Sequence, residues 1–288
     1  MAEKKDNKLL SITNDYVFRR IFGFKNISAL AEFLAGVFDT SVDQLGELKV
    51  ADSHIHRNRK GGKSNVLDIR VYADNGEIIN VEIQVNPEEG FRERLAYLNS
   101  RAFAEQMKRG QDYVTLNRTI TVVIADFVLI EENCDCLNKF RWYNVNNSCM
   151  LTQAQEIDVL ELPKLSQEDD GSILWKWLSF FRSGREDEME ELAKDNREMQ
   201  KVMTTLREMS ADEYERRLAE QMEKDERDRR AEIAYGRNKG KAEGKAEGKA
   251  EGKAEANKNI ALLMRDAGEP IEKITQFTGL SSEEIANL

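Results

Sequence analysis

Two neighbouring segments with alternating apolar and polar side chains constrain this fold more than any other feature of the sequence. The apolar residues all carry odd numbers: Leu67, Ile69, Val71 and Ala73 in the first segment, and Ile79, Val81, Ile83 and Val85 in the second. Alternation with a period of two predicts two strands with one buried face. Both apolar rows share that face of an antiparallel hairpin only if opposing residue numbers add to an even value.

The loop between the two segments selects the register. A two-residue turn at Asn75 and Gly76 would pair residue 74 with residue 77, which leaves one apolar row in water. A three-residue loop, 74–76, pairs residue 73 with residue 77 and places glycine at the left-handed position of that loop type. In this register Asp68 lies directly opposite Glu82, with Cβ atoms about 4.5–5.5 Å apart.

The opposed carboxylates of Asp68 and Glu82 need a physical explanation. Like charges directly opposite each other destabilise a sheet. A bound Mg²⁺, or another hard divalent cation, removes the repulsion because such ions take carboxylate oxygens as ligands. The alternative is a solvated outer face on which Arg70 balances the two acids.

The rest of the first half predicts an α/β core with a mixed sheet. A helix is expected at 28–38, opening at Ser28; strands at 47–56, 65–73 and 78–86; a second helix at about 91–109, ending at Gly110; and a further strand at 118–128. The element order is αβββαβ. Residues 129–165 have the pattern of further strands and loops, and the chain becomes helical beyond Ser166.

The carboxylate pair also carries a family resemblance. Asp68, followed after thirteen residues by Glu82-Ile83-Gln84, resembles the Asp…Glu-x-Lys signature of the PD-(D/E)XK nuclease superfamily. It resembles most closely the Rpn group of recombination-promoting nucleases, also described as transposases. The supporting matches are 14–18, Lys63 with Leu67-Asp68, Arg94 with Tyr97, 110–113, 161–164, the C-terminal glycine-rich repeat and 274–281. The resemblance runs essentially end to end and implies a restriction-endonuclease-like αβββαβ core.

The resemblance implies a metal-dependent DNA endonuclease whose breaks promote recombination or transposition-like events. Asp68 and Glu82 would bind Mg²⁺ or another hard divalent cation, and Gln84 would orient the attacking water. Gln84 replaces the usual lysine, as in the Rpn group; the candidates for the missing positive charge are Lys63, Arg94 and Arg101, and the sequence does not choose among them. Because of that replacement, a non-catalytic nuclease-fold protein that binds DNA or a protein partner is the alternative.

Two further groups of residues are candidates for contacts with DNA phosphates. One is a basic segment beside the hairpin, for which an ordinary solvated hairpin tip is the alternative: Arg57, Arg59, Lys60 and Lys63. The other is one face of the second helix, carrying Arg94, Tyr97 and Arg101, on which Tyr97 is alternatively a half-buried packing residue. Asp15 is either a third metal ligand or, as we prefer, a helix cap.

Charge and cysteine content limit the other functional classes. The net charge of −10 falls entirely on residues 128–288, so DNA binding must arise from local patches in the first half. The sequence has no apolar run of membrane-spanning length and no secretory signal, and we expect a cytoplasmic protein without a membrane segment. Three cysteines predict reduced thiols, and zinc is not expected because the two histidines, His54 and His56, lie far upstream of them.

We expect a nuclease-like domain at 1–165, a helical region at 166–235, a Lys-Ala-Glu-Gly repeat at 236–256 and a small helical interaction module at 257–288. Within the repeat every i,i+4 charge contact joins like charges, and each glycine costs about 0.8–1.0 kcal/mol relative to alanine in a helix. The repeat is therefore either a flexible linker or a set of helices from several chains that pack together. The tail resembles a helix-turn-helix, but its acidic charge favours oligomerisation over base recognition. We predict a homo-oligomer, most simply a dimer.

Overall fold

The computed structural model describes residues 9–51 and 69–288 of the 288-residue chain. The helices are α1 (Asp15–Arg20), α2 (Ile27–Phe38), α3 (Val42–Leu45), α4 (Phe91–Ala104), α5 (Ile173–Arg182), α6 (Glu186–Ala193), α7 (Arg197–Ala211), α8 (Glu213–Asp266), α9 (Ile271–Thr278) and α10 (Ser282–Ala286). The strands are β1 (Leu48–Val50), β2 (Ile69–Ala73), β3 (Ile78–Gln84), β4 (Thr119–Ala125), β5 (Leu137–Tyr143) and β6 (Met150–Glu161). The chain forms two compact units, Met1–Glu223 and Lys224–Leu288.

The six strands form one mixed sheet in the order β1-β2-β3-β4-β6-β5. The central strands β3, β4 and β6 are parallel, whereas β1, β2 and β5 pair antiparallel with their neighbours. Every residue of β4 is buried, as expected for a parallel strand covered on both faces. The α/β class with a mixed sheet, predicted from the sequence, is confirmed.

The β2–β3 hairpin has the register predicted from its alternation. Ile69 pairs with Val81 and Val71 with Ile79. The amide of Ala73 donates to the carbonyl of Glu77 at 3.0 Å, which closes the three-residue loop. Gly76 has a φ of 87°, so the glycine occupies the left-handed position of the loop. The odd-numbered side chains of both strands are buried together.

Helices cover both faces of the sheet. One face is covered by α1, α2, α5 and α7. An aromatic cluster lies in this core: Phe18, Phe22, Phe33, Trp177 and Phe181. Phe22 comes from a π-helical turn, Ile21–Lys25, that follows α1. The other face receives α4, where Phe91 and Leu95 pack against Val123 and Val159. The buried amide of Asn99 fixes α4 to the strands because it donates to Thr121 Oγ1 and to the carbonyl of Glu156, both at 3.0 Å.

Several predicted boundaries differ from the structure; β3 ends at Gln84 instead of residue 86, and β4 ends at Ala125 instead of residue 128. β1 is Leu48–Val50 within the predicted 47–56; residues 52–68 lie outside the described part of the chain, so the predicted continuation to residue 56 stays a prediction. α2 begins at Ile27, and the Ser28 hydroxyl bonds Glu198 at 2.5 Å instead of capping the helix. α4 ends at Ala104, before Gly110. A turn follows α4 in place of further helix. In this turn the side-chain Nε2 of Gln106 donates to the Asn117 carbonyl and to Thr119 Oγ1.

The repeat lies within α8, which is a continuous helix of 54 residues. One opposite-charge i,i+4 pair, Lys239 with Glu243 at 3.9 Å, stands at the start of the repeat, and the sequence reasoning had missed it. In the second unit, Gly279 (φ 74°) separates α9 from α10. These two helices and the end of α8 share a small core, which consists of Ala261, Ile274 and Ile285. The three cysteines are free thiols.

Among the described helices, none is long and apolar enough to cross a membrane by itself. The stretches Asp15–Lys25 and Ile27–Phe38 reach that length and composition only as a pair, bent by 103°.

Candidate active site

Glu82 occupies the centre of the sheet, on β3 between β2 and β4. Because the odd-numbered residues of β3 face the aromatic core, the even-numbered Glu82 faces the side of the sheet that carries α4. Its side chain is only 2% exposed. The solvated outer face considered as an alternative from the sequence is therefore absent at Glu82. Arg70 does not balance this carboxylate; its Nε donates to Asn80 Oδ1 at 2.8 Å, and its Nη1 lies 3.6 Å from Glu105.

Arg94 of α4 supplies the cation that contacts Glu82. Its Nη2 donates to Glu82 Oε1 at 2.7 Å, and its Nη1 donates to Glu88 Oε2 at 2.8 Å. The guanidinium also lies over the Phe91 ring, 5.6 Å from the ring centroid. One arginine thus divides its charge between two carboxylates and leaves Glu82 only partly compensated.

The second oxygen of Glu82, Oε2, is buried, and no donor within residues 9–51 and 69–288 bonds it. Burial raises the pKa of Glu82 to about 7, against the opposing charge of Arg94. The negative charges of Asp15 and Glu88 raise it further. A buried carboxyl oxygen without a donor requires a proton or a cation beside it. Glu82 therefore has the electrostatic character of a ligand site and changes protonation near neutral pH.

Gln84 ends β3, half-buried, on the same side of the sheet as Glu82. Its side-chain Nε2 donates to the backbone carbonyl of Asn86 at 3.0 Å. The backbone carbonyl of Gln84 accepts from the backbone amide of Asp126 at 2.9 Å. Asp126 follows β4 directly, so the ends of two parallel strands bring its backbone to Gln84. Burial raises the pKa of the Asp126 carboxyl.

The predicted basic face of α4 is formed by Arg94, Tyr97 and Arg101, but the three side chains have different surroundings. Arg94 reaches Glu82. Arg101 Nε instead donates to Glu105 at 2.7 Å. Tyr97 is 56% exposed, so the alternative of a half-buried packing residue is wrong. Of the candidate cations, the structure brings Arg94 to Glu82, and Lys63 lies outside the described residues.

Asp15 does not cap α1, contrary to the preferred expectation. The cap is Asn14, whose Oδ1 accepts from the Val17 amide at 3.3 Å, and Asp15 is the first residue of the helix. Its exposed carboxylate is near enough to raise the pKa of Glu82. In the described segments, no three His, Cys, Asp or Glu side chains are grouped closely enough to hold a metal ion.

Several predicted site residues lie outside the described part of the chain: Arg57, Arg59, Lys60, Lys63 and Asp68. The ladder of β2 and β3 is described as far as Ile69 opposite Val81, which is the residue pair next to Asp68 and Glu82. The pairing of these two carboxylates stays a prediction.

Sequence reasoning missed Glu88 and Asp126. Glu88 stands in a Pro-Glu-Glu-Gly stretch just before α4, where it read as an ordinary loop residue. Asp126 directly follows a strand rich in β-branched residues, and the carboxyl ends of parallel strands are where such folds place ligand-binding groups. That position was a usable signal for Asp126.

The family model of the PD-(D/E)XK nuclease family transposases matches residues 12–236. The chain belongs to this family. The matched residues of this chain include the whole sheet, α1 to α7 and the first part of α8. Glu82 and Arg94 both lie within the match. No curated protein and no solved structure matches the chain.

Proposed function

We propose that this chain is a divalent-metal-dependent DNA endonuclease that makes breaks used in recombination or transposition-like events. One observation carries the proposal: Glu82 is buried in the central sheet of a nuclease-family fold, and its Oε2 accepts no hydrogen bond from the described residues. A structural carboxylate at this depth normally has all its acceptor sites filled. An unfilled oxygen suits a group that receives a ligand.

Glu82, through Oε2, and Asp68, one residue before β2, are the residues that would hold Mg²⁺ or another hard divalent cation. The fit rests on chemistry, because hard cations prefer carboxylate oxygens and a cation replaces the donor that Oε2 lacks. Such an ion, when bound, polarises a phosphate and lowers the pKa of a coordinated water.

The remaining residues bind and orient the substrate. Arg94 supplies the positive charge that the superfamily lysine would otherwise provide, since its guanidinium is already 2.7 Å from Glu82. Gln84 orients the attacking water through its amide. Tyr97, Arg101 and the basic segment at 57–63 contact the DNA phosphates, which fix the duplex without reading its sequence. We place this reaction on DNA in the cytoplasm.

The test is nicking of a supercoiled plasmid with Mg²⁺. We expect wild type to nick the plasmid, and Asp68→Asn and Glu82→Gln to lose at least about 10²-fold in rate, since each isosteric change removes a charge from the reacting centre. Glu47→Gln, an exposed carboxylate in the turn before β1, is the control and should cleave as wild type does. Equal cleavage by all four proteins contradicts the proposal.

A non-catalytic DNA-binding or partner-binding protein is the second candidate. The observation that favours it is Gln84, whose amide group already donates to Asn86 and carries no charge. Calorimetric titration with Mn²⁺ separates the two candidates together with the nicking assay. If wild type binds Mn²⁺ and nicks DNA, and Glu82→Gln loses both properties, the result supports the enzyme. DNA binding with neither metal binding nor nicking supports the second candidate.

We also propose that the protein acts as a homodimer formed through the C-terminal region from about residue 186. Two copies would place two strand-cutting sites on the two strands of one duplex.

A further inference from the structure

Glu161, the last residue of β6, is a fully buried carboxylate whose two oxygens each accept two hydrogen bonds. Oε1 accepts from the backbone amides of Leu129 at 2.5 Å and Ile130 at 2.9 Å. Oε2 accepts from Asn138 Nδ2 at 3.1 Å and Lys164 Nζ at 2.9 Å. Burying an ion pair is costly, so this arrangement contributes little net stability over an apolar one. The specific effect of these hydrogen bonds is to fix the position of a backbone segment, the loop 126–132, relative to the end of β6.

The loop 126–132 in turn holds the first turn of α4. Arg92 donates to the carbonyl of Leu129 from Nη2 at 2.6 Å and from Nε at 3.2 Å. The same guanidinium makes a two-pronged contact with Glu132, both distances being 2.9 Å. Leu129 thus links two anchors, because its amide bonds Glu161 and its carbonyl bonds Arg92.

The same loop also reaches the end of β3 and the start of α4 by two other contacts. The Asp126 amide donates to the carbonyl of Gln84 at 2.9 Å. The Phe127 ring packs edge-on against Phe91, 5.9 Å between centroids, and Phe91 lies under the Arg94 guanidinium. Both sides of the Glu82 site therefore depend on where this loop lies.

We infer that Glu161 is a positioning residue of the Glu82 site, acting through the loop 126–132 and Arg92 on Arg94. Arg94 lies two residues after Arg92, in the same turn of α4, and makes the 2.7 Å contact with Glu82. In Glu161→Gln one carboxylate oxygen becomes an NH2 donor, so either the two backbone amides or the Asn138 and Lys164 donors lose their acceptor, and the loop shifts. Arg94 then leaves the geometry that Glu82 requires, and a displacement of about 1 Å is enough to slow an enzyme about 10²-fold. The inference rests on the proposed nuclease function for its kinetic consequence alone.

The experiment compares Glu161→Gln, Arg92→Met and the double variant in plasmid nicking. Each single variant should lower kcat by about 10- to 100-fold with the KM for DNA within twofold, because Glu161 is buried and the Arg92 guanidinium is already bonded to Leu129 and Glu132. The double variant should be no slower than the slower single variant within about threefold, since both changes break one path. Glu156→Gln is the matched control: it is a buried carboxylate on the same strand, held by Arg118 and Arg141. It should leave kcat of the folded protein within twofold.

Amide hydrogen exchange on the same proteins gives a readout without catalysis. Glu161→Gln should speed exchange in the loop at Leu129 and Ile130 and in the first turns of α4 (95–98), but not at the end of that helix (101–104). Arg92→Met, an exposed side chain, tests the α4 half even if Glu161→Gln fails to fold. Exchange that rises in the loop alone, multiplicative losses in the double variant, or an equal loss in Glu156→Gln overturns the inference. If wild type does not nick DNA but the exchange pattern appears, the nuclease proposal fails and the positioning role stands.

Discussion

Two buried carboxyl groups on opposite faces of the sheet have similarly raised pKa values but different neighbours. Glu82 and Asp158 both have a pKa raised to about 7, chiefly by burial. Asp158 lies beside Glu156, on the face of β6 that packs against the aromatic core. Hydrogen bonds from Arg141 and Arg118 overcome the burial of Glu156 and lower its pKa to about 2. Both Asp158 oxygens, like Glu82 Oε2, lack a donor among the described residues. Asp158 has Glu156 beside it to take its proton as a hydrogen bond, whereas the groups named beside Glu82 are Arg94 and two further carboxylates, Asp15 and Glu88.

Replacement of Asp158 by Asn should stabilise the protein at alkaline pH. The folded pKa of about 7 exceeds the ordinary value of 3.8, so the unfolded state releases this proton first. Wild-type stability from this group is complete below about pH 4 and is lost as pH rises to about 7. Asn keeps a donor toward Glu156 and does not ionise. Urea unfolding at pH 8 should show Asp158→Asn to be more stable than wild type by on the order of 1–3 kcal/mol, with the difference disappearing near pH 4. A variant less stable at pH 8 contradicts this assignment.

Arg94 and Arg101 stand on one helix face, yet their contacts predict different kinetic effects. Arg94→Met removes the charge that contacts Glu82, so kcat should fall by about 10²-fold. Arg101→Met removes a proposed phosphate contact, so the KM for DNA should rise, and it should increase less steeply with salt than in wild type, while kcat changes little. Arg109→Met, an exposed arginine in the turn after α4, serves as the control. Steady-state cleavage at two salt concentrations makes the comparison, and the same kcat for Arg94→Met as for wild type would remove Arg94 from the mechanism.

At the scale of elements, local sequence patterns predicted the pairing of two neighbouring strands. They did not predict the contacts between elements that are distant in the chain. The β2–β3 register followed from alternation and loop length because both are encoded within about twenty residues. The sequence named Arg94 as one of three candidate cations but could not choose it, since its contact with Glu82 depends on where Asn99 fixes α4 to β4 and β6. The end of α4 was missed because the Gln106 side chain bonds Asn117 and Thr119, which lie more than ten residues further along the chain. The cap of α1 was missed because Asn14, next to Asp15, accepts from the Val17 amide instead.

The β2–β3 loop should tolerate no side chain at Gly76. Its φ of 87° disfavours any L-residue, and an added Cβ would lie 2.8 Å from Asn117 Oδ1. Gly110 has the same φ with nothing within 4 Å, so it isolates the backbone strain. We expect Gly110→Ala to cost about 1 kcal/mol and Gly76→Ala to cost more, because Asn117 must also move. Urea denaturation measures both, and a Gly76→Ala protein as stable as wild type would argue against this loop geometry.

At the scale of the whole molecule, the charge rows of the repeat in α8 favour pairing of two chains in one orientation. Glycines recur every four residues from Gly236 to Gly252, with nothing within 4 Å of an added Cβ. Around a helix, Gly244 is flanked on one side by Lys241 and on the other by Glu247, three residues away in each direction. Two parallel helices in contact along this row place the lysine side of one chain against the glutamate side of the other. Antiparallel helices would oppose like charges, so we propose a parallel pair.

The full-length protein should therefore be a dimer in solution, and the glycine row should decide it. Gly244→Leu with Gly248→Leu raises the helix propensity of an isolated α8, since leucine is favoured over glycine by nearly 1 kcal/mol per residue. The same change blocks close approach of two helices at that row, so the variant should be monomeric and more helical. Ala substitutions at Glu213 and Arg217, an exposed pair at the start of α8, form the control and should leave the dimer intact. Light scattering and circular dichroism at micromolar concentration make the measurement. A monomeric wild type, or a leucine variant that stays dimeric, would exclude the glycine row as the contact between chains.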